Sequence, residues 1–568
     1  MKSRALRPRR MTTRIAMASA FLVLSHGGGV SLATAAVSCR AAVEMHGWVT
    51  TEVTTQRLAP FRCDGGLSPD SSAAAVLEVR IDAAARRQTV LGFGAALTDA
   101  AVEVIRRSPV RDQLLRELFG GAPGLALAMV RVPIGASDFS RRHYSLDDVS
   151  TGQSDPTLTH FRLDPEGVGT IGLLKAVHAI NPQLRIVASP WSAPAWMKSS
   201  RGLIGGSLEP KFYDAYAHYL LRFAQEYAAA GLPLYALTVQ NEPRFEPKDY
   251  PGMLFPAAAR QIFLRDHLGP LLAASHDAPL VLDWDHNWSH AEEPQAVLED
   301  RSAARYVGGV AWHCYEGRIE AQIRLQGEYP AVPFHLTECS GGEWQHGWAE
   351  TLRQFVAGLI LPELRAGARS VMLWNIALDE NHGPHLGGCT DCRGVVTVDS
   401  RSGAVTRNPE YYALAHFSRF LGSGAVRIES ADESSAGGQV GHVAFVTAGD
   451  ERALVLFNPS LEPRRVRVRD AGAAGVLAEL DLPGSALITL IWRAPRVEPK
   501  PDPSHGAGKL ATEVTNVLPA AVVVKVHRPK LEGVSGRPTW RALARVAACL
   551  SAARSLTAAD VVSKFMNY

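Results

Sequence analysis

The stretch Ala236-Leu237-Thr238-Val239-Gln240-Asn241-Glu242-Pro243 places a glutamate directly after a short apolar run. Seven similar runs are separated from it and from each other by long amphipathic stretches, which is the pattern of repeated β-α units around a parallel sheet. One such stretch, 213–230, repeats its aromatic and aliphatic residues at three- and four-residue intervals, as a helix does. The eight runs are 89–93, 128–133, 184–189, 236–240, 280–283, 309–313, 334–337 and 370–375.

This alternation fits either a closed (β/α)8 barrel or a doubly wound open sheet. Several of the runs end in carboxylate, amide or aromatic side chains, and a barrel gathers its functional groups at the carboxyl ends of its strands. We therefore predict an α/β fold with a (β/α)8 TIM barrel over residues 91–415.

A second glutamate follows the seventh run, in Phe334-His335-Leu336-Thr337-Glu338-Cys339. A single glutamate in a loop is usually a solvated surface residue, but two at the ends of the fourth and seventh strands of one barrel predict a paired site. Glycosidic bond cleavage uses such a pair, in which one carboxyl group protonates the leaving oxygen and the other attacks or activates water. If the fold brings Arg131 close, its charge would help to keep one of them ionised.

Alternating strand patterns flank the barrel on both sides of the sequence. We predict a β-sandwich-like side domain formed jointly by residues 36–90 and 416–494. Its predicted strands include 47–53, 75–81, 440–446, 452–457 and 486–492.

Residues 1–35 have the order of a secretory signal peptide: basic residues, then the apolar run 15–24, then the small residues Ala33-Thr34-Ala35. This order predicts a secreted or periplasmic protein. Residues 495–568 begin with a proline-rich stretch that predicts a linker, followed by a tail with no recognisable motif. No later run of about 20 apolar residues suggests a membrane span.

The chain has 568 residues, of which 46% are hydrophobic and 20% charged, and its formal net charge is +3. This balance is typical of globular proteins. So small a charge over this length gives no reason to expect a nucleic-acid partner. The oligomeric state is left open.

Seven cysteines include the close pair Cys389 and Cys392. In an oxidising compartment this pair can form a disulfide. Structural zinc is the alternative, but it needs four ligands and the chain has no second CxxC, so we predict no metal site. Cys39 and Cys63 can pair in the same way, although the sequence does not fix the connectivity. An odd count leaves at least one thiol unpaired or intermolecular.

Over roughly residues 44–494, ordered motifs resemble glycoside hydrolase family 30, the family of lysosomal glucosylceramidase and microbial β-1,6-glucanases. One departure is Ala95, where the family commonly has glycine. The motifs are GFGAALTDA (92–100), RVPIGASDFS (131–140), ASPWSAPAW (188–196), QNEP (240–243) and TEC (337–339).

The resemblance implies that Glu242 is the general acid/base and Glu338 the nucleophile, and that no metal or organic cofactor takes part. Tryptophans at strand ends can also be ordinary barrel packing, but aromatic faces and polar groups in these places are what a sugar ring requires. The further positions that match are the substrate-binding Asp138, Trp191, Asn241, Tyr315 and Trp374, and the supporting Arg131 and His313.

The resulting prediction is a retaining β-glycosidase that hydrolyses β-glucosidic bonds in a glucosylceramide-like glycolipid or in β-1,6-glucan. The alternatives are a β-xylosidase or xylanase of the same family and an inactive carbohydrate-binding protein. The loop with Cys389 and Cys392 is expected to border the cleft and to influence what is bound beyond the first sugar.

Overall fold

The computed structural model describes residues 37–63, 65, 76–432, 440–472 and 475–493. The predicted signal peptide and the predicted linker and tail lie outside these residues, and the predicted domain boundaries stay predictions. Within the described part of the chain, no helix combines the length and the apolar character needed to span a bilayer.

Strands and helices alternate through the middle of the chain, and strands dominate on either side. The strands are β1 (Cys39–Ala41), β2 (Met45–Thr50), β3 (Ala59–Arg62), β4 (Leu77–Thr89), β5 (Gly92–Ala96), β6 (Met129–Ile134), β7 (Arg185–Pro190), β8 (Ala236–Thr238), β9 (Leu280–Asn287), β10 (Gly309–His313), β11 (Phe334–Glu338), β12 (Gly341–Gly342), β13 (Ser370–Leu373), β14 (Ala377–Leu378), β15 (Cys392–Arg393), β16 (Val396–Val398), β17 (Val405–Arg407), β18 (Val426–Asp432), β19 (Gly441–Val446), β20 (Glu451–Phe457), β21 (Arg464–Asp470), β22 (Val476–Leu482) and β23 (Leu487–Arg493).

The helices lie mostly between the central strands, and two of them continue through a π-helical segment, Phe263–Leu268 or Val356–Ile360. Short 3₁₀ helices occupy Thr54–Gln56, Ala195–Met197, Pro210–Phe212 and Trp288–His290. The α-helices are α1 (Asp99–Arg107), α2 (Arg111–Phe119), α3 (Thr170–Ile180), α4 (Tyr213–Ala229), α5 (Ala257–Ile262), α6 (Gly269–Ala273), α7 (Glu292–Glu299), α8 (Arg301–Ala304), α9 (Glu320–Glu328), α10 (Trp348–Phe355), α11 (Leu361–Arg365) and α12 (Pro409–Leu421).

Eight parallel strands close a barrel in the order β5-β6-β7-β8-β9-β10-β11-β13. Spatial order follows chain order, which is the (β/α)8 arrangement, so the predicted barrel is confirmed and the open sheet is excluded. Each of the eight predicted runs overlaps a barrel strand, but the first is displaced. Thr89 ends β4 in the side sheet, and the barrel begins at Gly92.

The start of the barrel shows why small residues occur there. A Cβ added at Gly94 would overlap the carbonyl oxygen of Met129 on the neighbouring strand, so close backbone approach requires glycine. Ala95 instead points its methyl group into the main hydrophobic core, where it is fully buried. The departure from the family motif at this position therefore fills core space.

The side domain is one ten-stranded sheet in the order β1-β22-β21-β4-β18-β19-β20-β23-β2-β3, built from both chain ends as predicted. A Cys39–Cys63 disulfide joins edge strand β1 to the residue after edge strand β3, so the sheet folds back on itself around its own core. It is fixed to the barrel by His416 of α12, whose ring nitrogens each lie 2.8 Å from a hydroxyl of this sheet, Thr489 Oγ1 and Thr50 Oγ1.

Candidate active site

Eight of the nine residues predicted for the site lie at the carboxyl ends of barrel strands or in the loops that follow them, and Arg131 lies within β6. The nine residues come from six strands, β6, β7, β8, β10, β11 and β13. The structure brings all nine together, as the strand-end rule predicts for a barrel. They are Arg131, Asp138, Trp191, Asn241, Glu242, His313, Tyr315, Glu338 and Trp374.

The backbone is strained at four residues in the segments that form the base of the site. Glu242, Trp284, Asp285 and Asn375 are non-glycine residues with φ values of 49°, 79°, 55° and 42°. Such conformations cost free energy and persist where the surrounding structure enforces them, most often at functional sites. Here the backbone N–H of Glu242 donates to the carbonyl of Asp285 at 3.0 Å, which ties the loop after β8 to the end of β9.

Glu338 ends β11 and is held by two donors. Arg131 Nη1 donates to Glu338 Oε2 at 2.6 Å, and the Tyr315 hydroxyl donates to Glu338 Oε1 at 2.9 Å. The Arg131 guanidinium is completely buried, and its Nη2 also donates to Asn241 Oδ1 at 2.7 Å. One arginine thus positions the carboxylate after the seventh barrel strand and the amide after the fourth.

Glu242 faces two imidazoles. His313 Nδ1 lies 3.3 Å from Glu242 Oε1, and His286 Nδ1 lies 3.6 Å from the same oxygen. On its other side, His313 Nε2 lies 3.1 Å from Asp285 Oδ1 and 3.9 Å from Glu338 Oε2. A single buried ring therefore lies between the two glutamates.

Asp285 is the polar centre of the base of the site, and the sequence analysis missed it. Its side chain is fully buried, and both carboxylate oxygens have several partners. The predicted run stopped at Asp283, whereas β9 continues to Asn287 through a register shift opposite β10. The partners of Asp285 are Arg131, Ser189 and Thr238 on Oδ2, and His313 and Thr337 on Oδ1.

Charge pairing sets the protonation of these buried groups. Burial acts to raise the pKa of Asp285, but the Arg131 charge and the His313 contact hold that pKa well below its usual range. Burial acts to lower the pKa of His313, yet the Glu338 charge and the hydrogen bonds to Asp285 and Glu242 raise it to about 9. His313 is therefore a cation at neutral pH in the free site.

The two glutamates titrate as a pair around this cation. Burial raises the pKa of Glu338, with the Glu242 charge adding to the rise, and together they outweigh His313 and Arg131. Burial also acts to raise the pKa of Glu242, but the His313 hydrogen bond and the charges of His286 and His313 lower it. A change in the charge of His313 shifts the protonation of both carboxyl groups.

Aromatic rings form one wall of the site. Trp191 and Trp374 stack with ring centroids 5.2 Å apart, and the Arg131 guanidinium carbon lies 4.8 Å from the Trp191 ring. Asp138 lies in the same region with its side chain buried. Its burial, followed by the Glu338 charge, raises the pKa of Asp138 well above its ordinary value.

The predicted rim loop does border the site. A Cβ at Gly388 would lie 2.5 Å from Asp138 Cβ, so the loop backbone passes directly over that residue. Cys389 and Cys392 form a disulfide that packs in one cluster with Trp191 and Trp374. The disulfide prediction is confirmed, and zinc at this pair is excluded because both sulfurs are oxidised.

Comparison with known proteins identifies the family. The family model described as "Glycosyl hydrolase family 30 TIM-barrel domain" matches residues 90–421, and the one described as "Glycosyl hydrolase family 30 beta sandwich domain" matches 424–490. The chain belongs to glycosyl hydrolase family 30. Within this family it is 34% identical over 415 residues to the endo-1,6-β-D-glucanase of Neurospora crassa, covering 70% of this chain and 84% of the fungal protein.

Two further family 30 proteins, one known by its sequence and one by its structure, are also similar to this chain. The lysosomal acid glucosylceramidase of Mus musculus is 29% identical over 431 residues, covering 72% of this chain and 81% of the mouse protein. The solved structure of the endo-β1,6-glucanase BT3312 superposes with a TM-score of 0.70 at 27% identity, covering 79% of this chain and 99% of that one. Family 30 membership makes this chain an O-glycosyl hydrolase that acts on glycan substrates.

A second disulfide at the site was not predicted. Cys314 and Cys339 are joined, and they are the residues that directly follow His313 and Glu338. Those two residues are register partners on β10 and β11, so the bond links neighbouring strand ends beside the Glu338 carboxylate. The signal was in the sequence, since both cysteines follow predicted strands that are adjacent in a barrel.

We expect Asp285→Asn to reduce kcat/KM by about 100-fold, because it removes the charge that positions Arg131 and His313. Asp283→Asn on the same strand is the matched control, since Asp283 forms an equally buried pair with Arg260 at 2.8 Å. That variant should lose stability but keep its kcat/KM. Steady-state kinetics with an aryl β-glucoside, together with thermal unfolding, test this. Equal activity of the two folded variants would contradict the positioning role of Asp285.

Proposed function

We propose that this chain is a retaining β-glycosidase of the endo-1,6-β-glucanase type, with Glu338 as nucleophile and Glu242 as general acid/base. The observation that carries the proposal is the contrast between the partners of the two carboxylates. Glu338 is bonded to a guanidinium and a phenol, whereas Glu242 faces two imidazoles.

The partners of Glu338 suit a group that must carry negative charge when it attacks and again when the glycosyl bond breaks. Arg131 stays charged at all working pH values, and Tyr315 donates a second hydrogen bond. Both donors lower the energy of the carboxylate as it attacks and as it leaves. In the double displacement, Glu338 forms a bond to the anomeric carbon, and water later breaks that bond.

Glu242 has imidazole partners instead of a guanidinium and a phenol, so among the described residues no permanently charged group is hydrogen-bonded to it. The reaction needs a proton on Glu242 when the leaving oxygen departs. Glu242 is the more exposed of the two carboxylates, at 14% against 8% for Glu338. A sugar that covers Glu242 and excludes water favours its protonated form. In the second step the same carboxylate takes a proton from the attacking water.

The neighbouring groups suit a single pyranose ring. Arg131 donates a hydrogen bond to the amide oxygen of Asn241. The NH₂ group of that amide is then directed toward the 2-hydroxyl of a bound sugar. The stacked Trp191 and Trp374 supply apolar faces for the C–H side of the ring. We assign Asp138 to the hydroxyl groups at the far side of the same sugar.

A glucan is favoured over a glycolipid by the rim of the cleft. Among the large apolar side chains that are well exposed in the described residues, the aromatic ones are Phe245, Tyr315 and Trp344, at 46%, 44% and 43% exposure. All three follow the barrel strands that carry Glu242, His313 and Glu338. Flat aromatic faces suit successive sugar rings, whereas a lipid tail would need a continuous aliphatic surface. The identity to the Neurospora endo-1,6-β-D-glucanase supports the same choice.

We also propose that the protein is exported. The basic, apolar and small-residue order of positions 1–35 supports this. So do the three disulfides, which account for six of the seven cysteines and are typical of an oxidising compartment.

The two glutamate roles predict different kinetic losses. Glu338→Gln should abolish turnover of every β-glucoside, because no covalent intermediate forms. Glu242→Gln should nearly abolish hydrolysis of β-1,6-glucan but largely preserve kcat/KM for dinitrophenyl β-glucoside, whose leaving group needs no proton. Its kcat for that substrate should still fall, because the second step loses its general base. Rates for both substrates with both variants test the assignment. A Glu338→Gln variant with the leaving-group dependence expected for Glu242→Gln would reverse the roles, and a wild-type protein that binds glucan without cleaving it would overturn the proposal.

The substrate assignment predicts a chain-length effect at the rim. Trp344→Ala should raise KM for β-1,6-linked glucooligosaccharides about tenfold, equivalent to about 1.4 kcal/mol, while leaving KM for an aryl β-glucoside unchanged. Leu461→Ala, at a position 84% exposed in the connection between β20 and β21, is the control and should change neither value. Faster cleavage of glucosylceramide or of an aryl β-xyloside than of the glucan and aryl β-glucoside would contradict the choice of substrate.

A further inference from the structure

Three potential metal ligands converge beside the acid/base carboxylate. One ligand atom each from Glu242, His286 and His313 lie within 4.8 Å of one another. The two histidine Nδ1 atoms are 3.6 Å and 3.3 Å from Glu242 Oε1. No other group of three or more such side chains is found among the residues that the structure describes.

His286 supplies an independent indication of a ligand. Its side chain is more than nine-tenths buried, at 7% exposure, and its Nδ1 has no hydrogen-bond partner within the described residues. The distance of 3.6 Å to Glu242 is too long for a hydrogen bond. A buried polar atom without a partner costs free energy, so such atoms are rare and call for an explanation. The unpartnered His286 Nδ1 lies beside the other two ligands, Glu242 and His313.

The surroundings of His313 have the form found around metal-bound histidines. Its Nε2 lies 3.1 Å from Asp285 Oδ1, which fixes the ring and leaves Nδ1 directed at Glu242. A carboxylate on the far nitrogen is the usual support for a histidine ligand, because it orients the ring and increases its basicity. Asp285 is itself held rigidly by Arg131 and three hydroxyl groups.

We propose that Glu242, His286 and His313 form an inhibitory site for a divalent transition-metal ion of the zinc class. Two imidazole nitrogens and one carboxylate oxygen are a three-ligand set that zinc accepts, with water in the fourth position. Magnesium and calcium prefer sites made entirely of oxygen, so they fit this set poorly.

Binding would stop catalysis by occupying the acid/base group. The ion takes the Glu242 carboxylate oxygen and the Nδ1 lone pairs of both histidines, and the Nδ1 proton of His313 passes to solvent. Asp285 keeps the proton on Nε2. Glu242 is then held as a deprotonated, metal-bound carboxylate and cannot carry the proton that the leaving group needs. The metal site itself is argued from geometry alone. The expected inhibition rests also on the proposed role of Glu242.

The test uses the whole mature protein with cobalt and zinc as probes. Cobalt should produce the intense visible absorption of a four-coordinate nitrogen and oxygen site at one equivalent, and zinc should abolish that absorption by displacement. Zinc should inhibit aryl β-glucoside hydrolysis, and EDTA should restore the rate. Neither result depends on a variant.

His286→Phe keeps a ring in place but removes the nitrogen ligand. Measured against its own metal-free rate, it should require at least about tenfold more zinc for half-inhibition and lose the cobalt absorption. The control is His290→Asn, which removes an exposed histidine that pairs with Glu292 at 2.8 Å and should leave zinc sensitivity unchanged.

The outcomes separate this inference from the proposed function. Wild-type protein without the cobalt absorption, or equal zinc sensitivity of wild type and folded His286→Phe, overturns the metal site. A wild-type protein that binds cobalt as described but hydrolyses no β-glycoside supports the metal site and overturns the enzyme assignment. Full activity with the site occupied by zinc would contradict the acid/base role of Glu242.

Discussion

The site depends on burying the Arg131 guanidinium between Asp285 and Glu338. These ion pairs, at 2.8 Å and 2.6 Å, lie where water does not compensate the charges, and breaking a buried pair costs about 3–5 kcal/mol. The guanidinium is planar, so its several donors fix the relative positions of the groups they contact. Through Arg131, strands β6, β9 and β11 share one polar arrangement, and the amide after β8 joins it.

The second consequence of this arrangement is electrostatic. His313 is a cation at neutral pH because carboxylates surround it, and it lies between the glutamates. The site therefore sets the protonation of Glu242 and Glu338 through a third group that contacts both. Within the described residues the same geometry leaves His286 Nδ1 without a hydrogen-bond partner beside Glu242, and the proposed zinc-class site rests on this nitrogen.

Much of this could be predicted from the sequence, because barrel strands bury both faces and appear as apolar runs. The two glutamates were found because each directly follows such a run. Asp285 and His286 escaped notice because the segment Asp283-Trp284-Asp285-His286-Asn287 is mostly polar or aromatic and does not resemble a buried strand. Its left-handed residues at 284 and 285 depend on tertiary contacts that no local pattern reveals. The Cys314–Cys339 bond likewise follows from strand adjacency rather than from cysteine spacing.

The most direct test of the central claim, that Glu338 attacks the anomeric carbon, is the configuration of the first product. Proton NMR during rapid hydrolysis of a β-linked substrate distinguishes the two anomers before they interconvert. Double displacement through Glu338 predicts that the β-anomer of the released reducing sugar appears first and the α-anomer grows in later. Initial appearance of the α-anomer would contradict the account, since it would mean direct attack by water with no glycosyl bond to Glu338.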